Sequence, residues 1–234
     1  MDAVSAPDGK VTPRVGRPRA NPRDDDGLDA REQILDAAAA LFAEHGYAGT
    51  STRAIAERVG IRQASLYYHV AGKDDLLLEL LERSVRPSLD FVADLLRLGA
   101  GERRYAALHA LAVIDVGTLL ATPHNIGTLY LTHEVQQPRF EPFHRHRAEL
   151  RSAYVELAGS EFAGSCCLQL VEMVIGLRRD REPAPAESAG LREEIATACL
   201  RVVGLAPGRV AAAAREGARL VEQLAGEGSR TPPA

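Results

Sequence analysis

The chain has 234 residues, a net charge of −4, three cysteines, no tryptophan and an aromatic content of 5%. This length accommodates one or two domains with a substantial core. Plentiful Ala, Leu, Arg and Glu, without alternating Val/Ile/Thr runs, predict an all-α protein. No stretch of eighteen apolar residues, no signal-peptide core and an odd number of cysteines argue against a membrane span, secretion and a disulfide framework. We therefore expect a cytoplasmic protein with reduced thiols.

The first 28 residues are predicted to form a disordered basic arm, because they contain four prolines and almost no large apolar side chains. Up to Arg23 this arm has five cationic side chains and two anionic ones. The run Gly16, Arg17, Pro18, Arg19 resembles the core of an AT-hook, which would place Arg17 and Arg19 in a narrow minor groove. The alternative is a solvated tail with incidental arginines.

An amphipathic helix is predicted over Asp29–His45. Asp29 and Glu32 have the spacing of a capping box, with Asp in place of the usual Ser or Thr, and Gly46 is suited to end the helix. The apolar residues at helical spacing are Ile34, Leu35, Ala38, Leu41 and Phe42. Such a stripe predicts a helix that is packed along one side.

Two shorter helices follow, and Gly60 suits the left-handed turn between them. The first has one apolar face and an N-terminal hydroxyl cluster that can supply its cap, Thr50, Ser51 and Thr52. The second, about Gln63–Val70, should bury Leu66 and Val70 and expose a polar and aromatic face. A helix this short is unstable alone, so it must dock on a neighbour. This arrangement is typical of a helix-turn-helix DNA reader.

The local charge supports that interpretation. Between Thr50 and Lys73 there are four cationic side chains and one anion, Glu57, whereas the whole chain is acidic. A positive patch on an acidic protein indicates nucleic-acid binding better than overall basicity does. The competing interpretation is an ordinary helical hairpin inside a core.

The helix at 29–45 and the segments AIAERVGI, ASLYYHV and GKDDL together resemble the N-terminal domain of TetR-family transcriptional regulators. The resemblance covers about residues 29–86 and is specific, because several elements recur in order at fixed spacing. Two minor departures are Gly72, where Ser or Asn is more usual, and Val70, where Phe is common.

The resemblance implies a role for each reader residue. Arg53 would reach guanine, Arg62 guanine or phosphate, and Gln63 adenine. Thr52 and Lys73 would bind phosphate, Lys73 from a helix N-terminus. Close approach, or contact with the DNA backbone and thymine methyls, is implied for Ala64, Ser65, Tyr67, Tyr68 and His69.

The remaining chain is predicted to be helical. The helix begun at Lys73 should continue to about Leu98, with Pro87 as a kink or break. Further helices are expected over 102–122, 125–136, 141–158, 161–179, 191–203 and 209–224. Asp115 lies in a nearly all-apolar helix, so it needs a partner, either on a neighbouring helix, which we favour, or in a ligand. The predicted domains are a reader over 29–75 and a helical domain over 76–226, with a disordered tail over 227–234.

By the same resemblance, residues 76–226 form an effector-binding and dimerisation domain. Helices 161–179 and 191–203 are expected to pair in a homodimer, with the Ala-rich helix 209–224 as the competitor. A homodimer fits palindromic operator DNA, whose half-sites lie ~34–36 Å apart. Repression released by effector binding is expected, through a swing of the connecting helix, and activation remains open.

Candidate effector contacts are polar or soft side chains on otherwise apolar faces: Tyr105, His109, His133, Tyr154, Gln169 and Met173. For each, plain core packing is the competing interpretation. The mixed pattern, without a strong charge cluster, favours a small, largely apolar or aromatic effector. No cofactor is expected.

Metal or thiol sensing and catalysis are the alternative classes. His144 and His146 lie two residues apart, so they do not share a helix face, and the adjacent Cys166 and Cys167 cannot readily bridge. No metal site is therefore predicted. The sequence also lacks a nucleophile elbow, a phosphate loop, an HExxH motif and paired catalytic carboxylates, so no catalytic residue is predicted and the chain is not expected to be an enzyme.

Overall fold

The computed structural model describes residues 29–226, and every regular element within that range is helical, as the composition predicts. Short 3₁₀ turns at Gly101–Arg103, Pro123–Leu129 and Pro138–Phe140 join some of the helices. The α-helices are, in chain order, α1 (Ala30–Gly49), α2 (Thr52–Val59), α3 (Gln63–Leu66), α4 (Lys73–Arg83), α5 (Arg86–Leu89), α6 (Val92–Leu98), α7 (Arg104–Ala121), α8 (Glu141–Ala158), α9 (Glu161–Asp180), α10 (Pro185–Val202) and α11 (Pro207–Gly226). We call α1–α4 the N-terminal unit and α5–α11 the body.

Helix α1 organises the N-terminal unit. The Asp29 carboxylate accepts from the backbone N–H groups of Arg31 and Glu32, at 2.7 and 2.9 Å, and so caps the helix as predicted. The predicted stop is visible as a break at Gly46, whose φ of 72° is left-handed, although helical turns resume to Gly49. The apolar stripe is buried and packs against α2 and α4, so α1 is the platform on which the short helices dock.

Helix α7 is the centre of the body. It packs against α8, α9, α10 and α11, and its apolar residues are buried almost all round. Among residues 29–226, Gly101–Ala121 is the segment whose length and composition would allow it to cross a membrane. Because 72% of the most apolar eighteen-residue stretch of that segment is buried inside the protein, it has the surroundings of a core helix, and the length and composition are weak evidence for a span.

The helix predicted from Lys73 to Leu98, with a kink or break at Pro87, is interrupted near that proline, but the structure divides it twice, into α4, α5 and α6. The first break falls at Ser84, whose hydroxyl donates to the Leu81 carbonyl at 2.6 Å and also bonds the Tyr130 hydroxyl at 2.6 Å. Pro87 is the second residue of α5 and lies in its first turn, where its missing N–H costs no helical hydrogen bond. Helix α3 is likewise shorter than expected and ends at Leu66 instead of Val70.

The predicted helix over 125–136 is wrong. Its first part is the 3₁₀ turn Pro123–Leu129, and the segment to Gln136 consists of turns. His124 and Asn125 have left-handed φ values of 54° and 52°, which an α-helix does not accommodate. Tertiary bonds hold them there: His124 Nε2 lies 2.8 Å from the Asp36 carboxylate of α1, and the Asn125 amide donates to the Ile175 carbonyl at 2.9 Å. This turn joins the N-terminal unit to the body.

Helix α9 leaves large apolar side chains at the surface. Met173 and Leu177 have core spacing in the sequence, but they are 45% and 39% exposed, while Val171 and Val174 are fully buried. The helix has more apolar residues than its contact with α7 and α8 can cover. A second apolar stripe therefore lies on the surface of the body beside α10.

Candidate nucleic-acid interface

The N-terminus of α2 is built from three consecutive hydroxyl residues with three different tasks. The Ser51 hydroxyl accepts from the Ala54 N–H at 3.1 Å and is the cap. Thr50 is buried and donates to the carbonyls of Leu41 and Gly46, which ties α2 to the end of α1. Thr52 is therefore left with its side chain at the surface.

The turn between α2 and α3 is closed by Gly60 in a left-handed conformation with φ of 80°, as its position predicts. The Ile61 N–H donates back to the Ala56 carbonyl at 3.0 Å. Ile55 and Leu66 are fully buried and hold α2 and α3 on α1. The remaining face of α3 consequently points away from the core.

A small hydrogen-bond network crosses this outward face. The Gln63 amide donates to the Thr52 hydroxyl at 2.9 Å, and that hydroxyl lies 3.2 Å from the Tyr67 hydroxyl. Tyr68 is 89% exposed, so an aromatic side chain stands in solvent with no packing role. The predicted DNA contacts that are exposed or partly exposed here, which we call the reader face, are Thr52, Arg53, Arg62, Gln63, Ala64, Ser65, Tyr67, Tyr68 and His69.

Two of the four cations that gave this region its positive charge are paired within it. Arg53 donates to Glu57 at 2.8 Å, one turn along α2, and this carboxylate raises the pKa of Arg53. Arg58 makes a two-pronged contact with Glu44 of α1. No carboxylate pairs with Arg62 within the part of the chain that the structure describes. Arg62 is thus the cation most directly available to a ligand.

Lys73 is engaged inside the N-terminal unit. Its ammonium donates to the carbonyls of Tyr47 and Thr50, both at 2.8 Å, and lies 4.0 Å from the centre of the Tyr47 ring. Partial burial lowers the pKa of Lys73. Two of its three protons are therefore used to fasten the end of α1 to the start of α4, and the phosphate contact implied by the motif stays a prediction. Arg17 and Arg19, the candidate minor-groove residues, lie outside the described residues.

The six candidate effector residues do not line a common cavity. Three of them, His133, Gln169 and Met173, are exposed, the first on the turn after Leu129 and the other two one helical turn apart on α9. Tyr105 is half-buried, and its hydroxyl accepts from Arg104 at 2.8 Å. The last two, His109 and Tyr154, are fully buried in the body. Burial lowers the pKa of His109 to about 4, so that its imidazole is neutral in the folded protein at neutral pH.

Asp115 is the centre of a buried polar cluster, as its position in an apolar helix required. Its carboxylate accepts from the Ser88 hydroxyl at 2.8 Å and the Tyr154 hydroxyl at 3.0 Å. Complete burial raises the pKa of Asp115 to about 6, although both hydrogen bonds act in the opposite direction. The neighbouring space, between Tyr130 and Arg147, is only about 10 Å³. The partners of Asp115 are neighbouring helices, which was the favoured expectation.

The structure brings together two cysteines that the sequence does not place side by side. Cys167 of α9 and Cys199 of α10 are buried against each other, and each thiol lies 3.7 Å from the backbone carbonyl of the other residue. The adjacent Cys166 takes no part in this contact. Across residues 29–226, no three side chains of His, Cys, Asp or Glu converge as metal ligands.

This architecture is similar to that of known proteins. Residues 34–80 match the family model described as bacterial regulatory proteins, tetR family. The crystal structure of Mycobacterium smegmatis AmtR is 43% identical in sequence, covers 83% of this chain and 96% of its own, and superposes with a TM-score of 0.73.

Two curated relatives are transcriptional regulators by name. The HTH-type transcriptional repressor KstR2 of Rhodococcus jostii is 31% identical over 130 residues, which is 54% of this chain and 60% of that protein. The biofilm operon negative regulator IcaR of Staphylococcus aureus is 34% identical over 76 residues, or 32% of this chain and 39% of that protein. The chain thus spans between two fifths and three fifths of these relatives. The part shared with IcaR is about the size of a DNA-binding domain.

Proposed function

Because this chain belongs to the TetR family of bacterial regulatory proteins, we propose that it represses transcription as a homodimer bound to palindromic operator DNA. A small, largely apolar or aromatic effector releases it. The observation that carries the proposal is the reader face, an exposed polar and aromatic surface on two short helices that are docked rigidly on α1. Residues 29–75 act as the reader and residues 76–226 as the effector-binding and dimerisation domain.

The chemistry of the reader face suits the major groove. Arg62 and Arg53 can each offer a fork of two N–H donors to the O6 and N7 atoms of guanine, and Gln63 can pair with adenine. Thr52 already orients Gln63 by accepting a hydrogen bond from its amide, which limits the number of amide positions before DNA arrives. Tyr67 and Tyr68 are placed to contact phosphates or thymine methyls at the edge of the groove.

The exposed apolar stripe of α9, together with α10, supports the dimer. Phe162, Met173 and Leu177 of α9 are 80%, 45% and 39% exposed, and Val202 at the end of α10 is 41% exposed. Large apolar side chains in a row along two adjacent helices are typical of a surface that is covered in the assembled protein. The competing helix α11 packs along α7 instead, and its outward residues are alanines and charged side chains. We therefore assign the interface to α9 and α10.

Release works as a population shift. The dimer holds its two reader faces at the half-site spacing, ~34–36 Å, in one conformation. The effector favours another conformation, in which the N-terminal unit has moved relative to the body and the spacing no longer fits. It must bind the two conformations with different affinity, since equal affinity would shift nothing.

Footprinting tests the proposal. The purified protein is applied to the DNA immediately upstream of its own gene at two salt concentrations. We expect a protected palindrome and binding that weakens steeply with salt. Arg62→Ala should lower operator affinity by about 1–3 kcal/mol and relax the preference at one base position per half-site. Arg215→Ala, which removes an exposed arginine from α11, is the matched control and should bind as the unaltered protein does.

Diffuse protection at every sequence, with Arg62→Ala and Arg215→Ala equally affected, would contradict a specific reader. The dimer is tested separately by sedimentation. Met173→Glu should give monomers, because it places a charge on the assigned interface. Leu131→Glu should not, because Leu131 is 86% exposed on a turn outside α9 and α10. Both variants sedimenting as dimers would remove α9 from the interface.

A further inference from the structure

A cavity of about 370 Å³ lies between the N-terminal unit and the body. One wall is formed by α1 and α4, and the other by α5, the end of α7 and the 3₁₀ turn Pro123–Leu129. Most of the lining is apolar: Leu35, Ala39, Leu80, Pro87, Ala121 and Ile126. This volume is within the range of small-molecule sites in proteins. We call this space the junction cavity.

The other spaces in the described structure are less suited to a small apolar molecule. The interior of the body is closed around Asp115, where the free space of about 10 Å³ suffices for one water molecule. Two larger depressions, of about 500 and 580 Å³, are open grooves along α9 and α10, the surface that we assign to the dimer. The junction cavity is more enclosed than these grooves, and it touches both the part that reads DNA and the part that dimerises.

The polar groups of the junction cavity determine which chemical group the polar end of a ligand should carry. Asp36 and Glu32 present carboxylates, and the Thr122 hydroxyl already donates to the Thr118 carbonyl, so its remaining capacity is to accept. Three of the five N–H donors of Arg83 are used, because its guanidinium is held by Glu32 at 2.7 Å and by Glu79 at 2.6 Å. The charged residues that line the cavity are Glu32, Asp36 and Arg83, so the lining carries one more negative charge than positive charge. The cavity therefore favours a cationic ligand over an anionic one.

We propose that the junction cavity is the effector site and that its ligand is an apolar molecule with one hydrogen-bond-donating, cationic end, such as an aryl-alkyl amine. The role of this ligand in releasing DNA rests on the proposed function, whereas the binding of the ligand to the cavity does not. The apolar body of the ligand fills the space between Leu35 and Ala121. Its ammonium donates to Asp36 at the rim, where the His124 imidazole now lies 2.8 Å away.

The position of the junction cavity couples ligand binding directly to DNA binding. The two walls belong to different parts of the protein, so the shape of the cavity changes whenever the N-terminal unit moves against the body. The contact between Asp36 and His124 is one of the bonds that now join them, and His124 has an unfavourable left-handed φ of 54°. An ammonium that takes Asp36 removes one of the bonds that hold this turn in place, while the bond from Asn125 to Ile175 remains. The N-terminal unit then leaves the position that fits DNA more readily.

Calorimetric titration of the full chain with phenylbutylamine and, separately, phenylbutyrate tests the site. The two probes share a skeleton and differ in the charge of one end. We expect one amine per chain and at least about tenfold weaker binding of the acid. Two variants should each weaken amine binding by about tenfold or more. Ala121→Leu fills the cavity from its exposed rim, and Asp36→Asn removes the negative charge. Ala93→Leu, on the exposed side of α6, is the control and should bind normally.

Operator affinity in the same preparations separates the two proposals. Without amine, Ala121→Leu and Ala93→Leu should both bind the operator, which shows that the reader is intact. With saturating amine, the unaltered protein should lose operator affinity and Ala121→Leu should not. No amine binding, equal binding of amine and acid, or equal binding by Ala121→Leu and Ala93→Leu would each overturn the junction site. Amine binding that leaves operator affinity unchanged would overturn its role in release, and failure to bind any operator would overturn the proposed function instead.

Discussion

The reader face and the interior of the body use the same side-chain types in opposite ways. On the reader face Tyr68 is 89% exposed, and the network of Thr52, Gln63 and Tyr67 lies in solvent. In the body Tyr154 is fully buried, and its hydroxyl donates a hydrogen bond to Asp115 at 3.0 Å. A tyrosine on the first surface is available to a partner, whereas a tyrosine in the second place belongs to the protein's own core.

The difference teaches where binding chemistry should be sought in this molecule. A polar side chain in the apolar part of a helix attracts notice in a sequence, but the body satisfies Asp115 and Tyr154 internally. His109 is the exception in the same helix, because neither of its ring nitrogens makes a hydrogen bond, although the Glu193 carboxylate lies 3.3 Å from Nε2. Polar groups that a partner can reach occur at the reader face and at the rim of the junction cavity. Substitutions should therefore act on stability in the body and on ligand affinity at those two surfaces.

The largest expected effect is a pH-dependent gain in stability from Asp115→Asn. The folded-state pKa of Asp115 is raised to about 6 from the usual 3.8, so the folded state binds more protons than the unfolded state between these values. The stability that the protonated carboxyl contributes is complete below pH 3.8 and is lost as pH rises through about 6. The loss amounts to about 3 kcal/mol, since one pKa unit is worth about 1.4 kcal/mol. The neutral amide does not undergo this loss.

Denaturant unfolding at pH 4 and at pH 7.5 measures this effect. The free energy of unfolding of Asp115→Asn relative to the unaltered protein should rise between the two pH values by an amount approaching 3 kcal/mol. Asp180→Asn, at the exposed end of α9, is the control and should show little such change. If the difference were the same at both pH values, Asp115 would already be ionised at pH 4, and the cluster around it would be more polar than its burial indicates.

A smaller effect, about 2 kcal/mol, is expected from Lys73→Met in the N-terminal unit. The methionine keeps the length of the side chain but leaves the carbonyls of Tyr47 and Thr50 without their shared ammonium donor. The melting temperature of the protein should fall, while the slope of operator affinity against salt concentration should stay the same. A slope that is shallower by about one unit, with unchanged stability, would mean that Lys73 binds phosphate as the family motif implies.

The separation along the chain between interacting residues decides how much of the structure could be predicted from the sequence. The helix-turn-helix fold of α2 and α3 was predictable because its contacts are local: the Ser51 cap spans three residues and the Thr52–Tyr67 contact spans fifteen. Propensity and spacing describe such contacts well, and the all-α class follows from composition in the same way. The bonds of Asp115 cross 27 and 39 residues, so the sequence showed that a partner was needed without showing which one.

Three other features show the same limit. Met173 and Leu177 have the spacing of core residues, and only the packing of α9 against α7 and α8 decides that they stay outside. Lys73 has the position of a phosphate ligand, and only the fold brings it to carbonyls 23 and 26 residues away. The junction cavity has walls on five elements, so no stretch of sequence contains its pattern. Sites formed by long-range packing therefore lie beyond the reach of periodicity and motif.

The smallest expected effect is a gain in DNA affinity from Glu57→Gln, which would sharpen the contrast at the reader face. Glu57 now holds Arg53 at 2.8 Å, and both side chains are well exposed, so solvent screens the pair and it contributes little to stability. Its carboxylate also repels the phosphates that Arg53 should approach. Removing the charge should raise affinity for random DNA about twofold to fivefold, measured by fluorescence anisotropy, whereas Glu149→Gln on the exposed face of α8 should change nothing. A loss of affinity for operator and random DNA alike would show instead that Glu57 orients Arg53 for its contact, and that the ion pair belongs to the bound state as well as the free one.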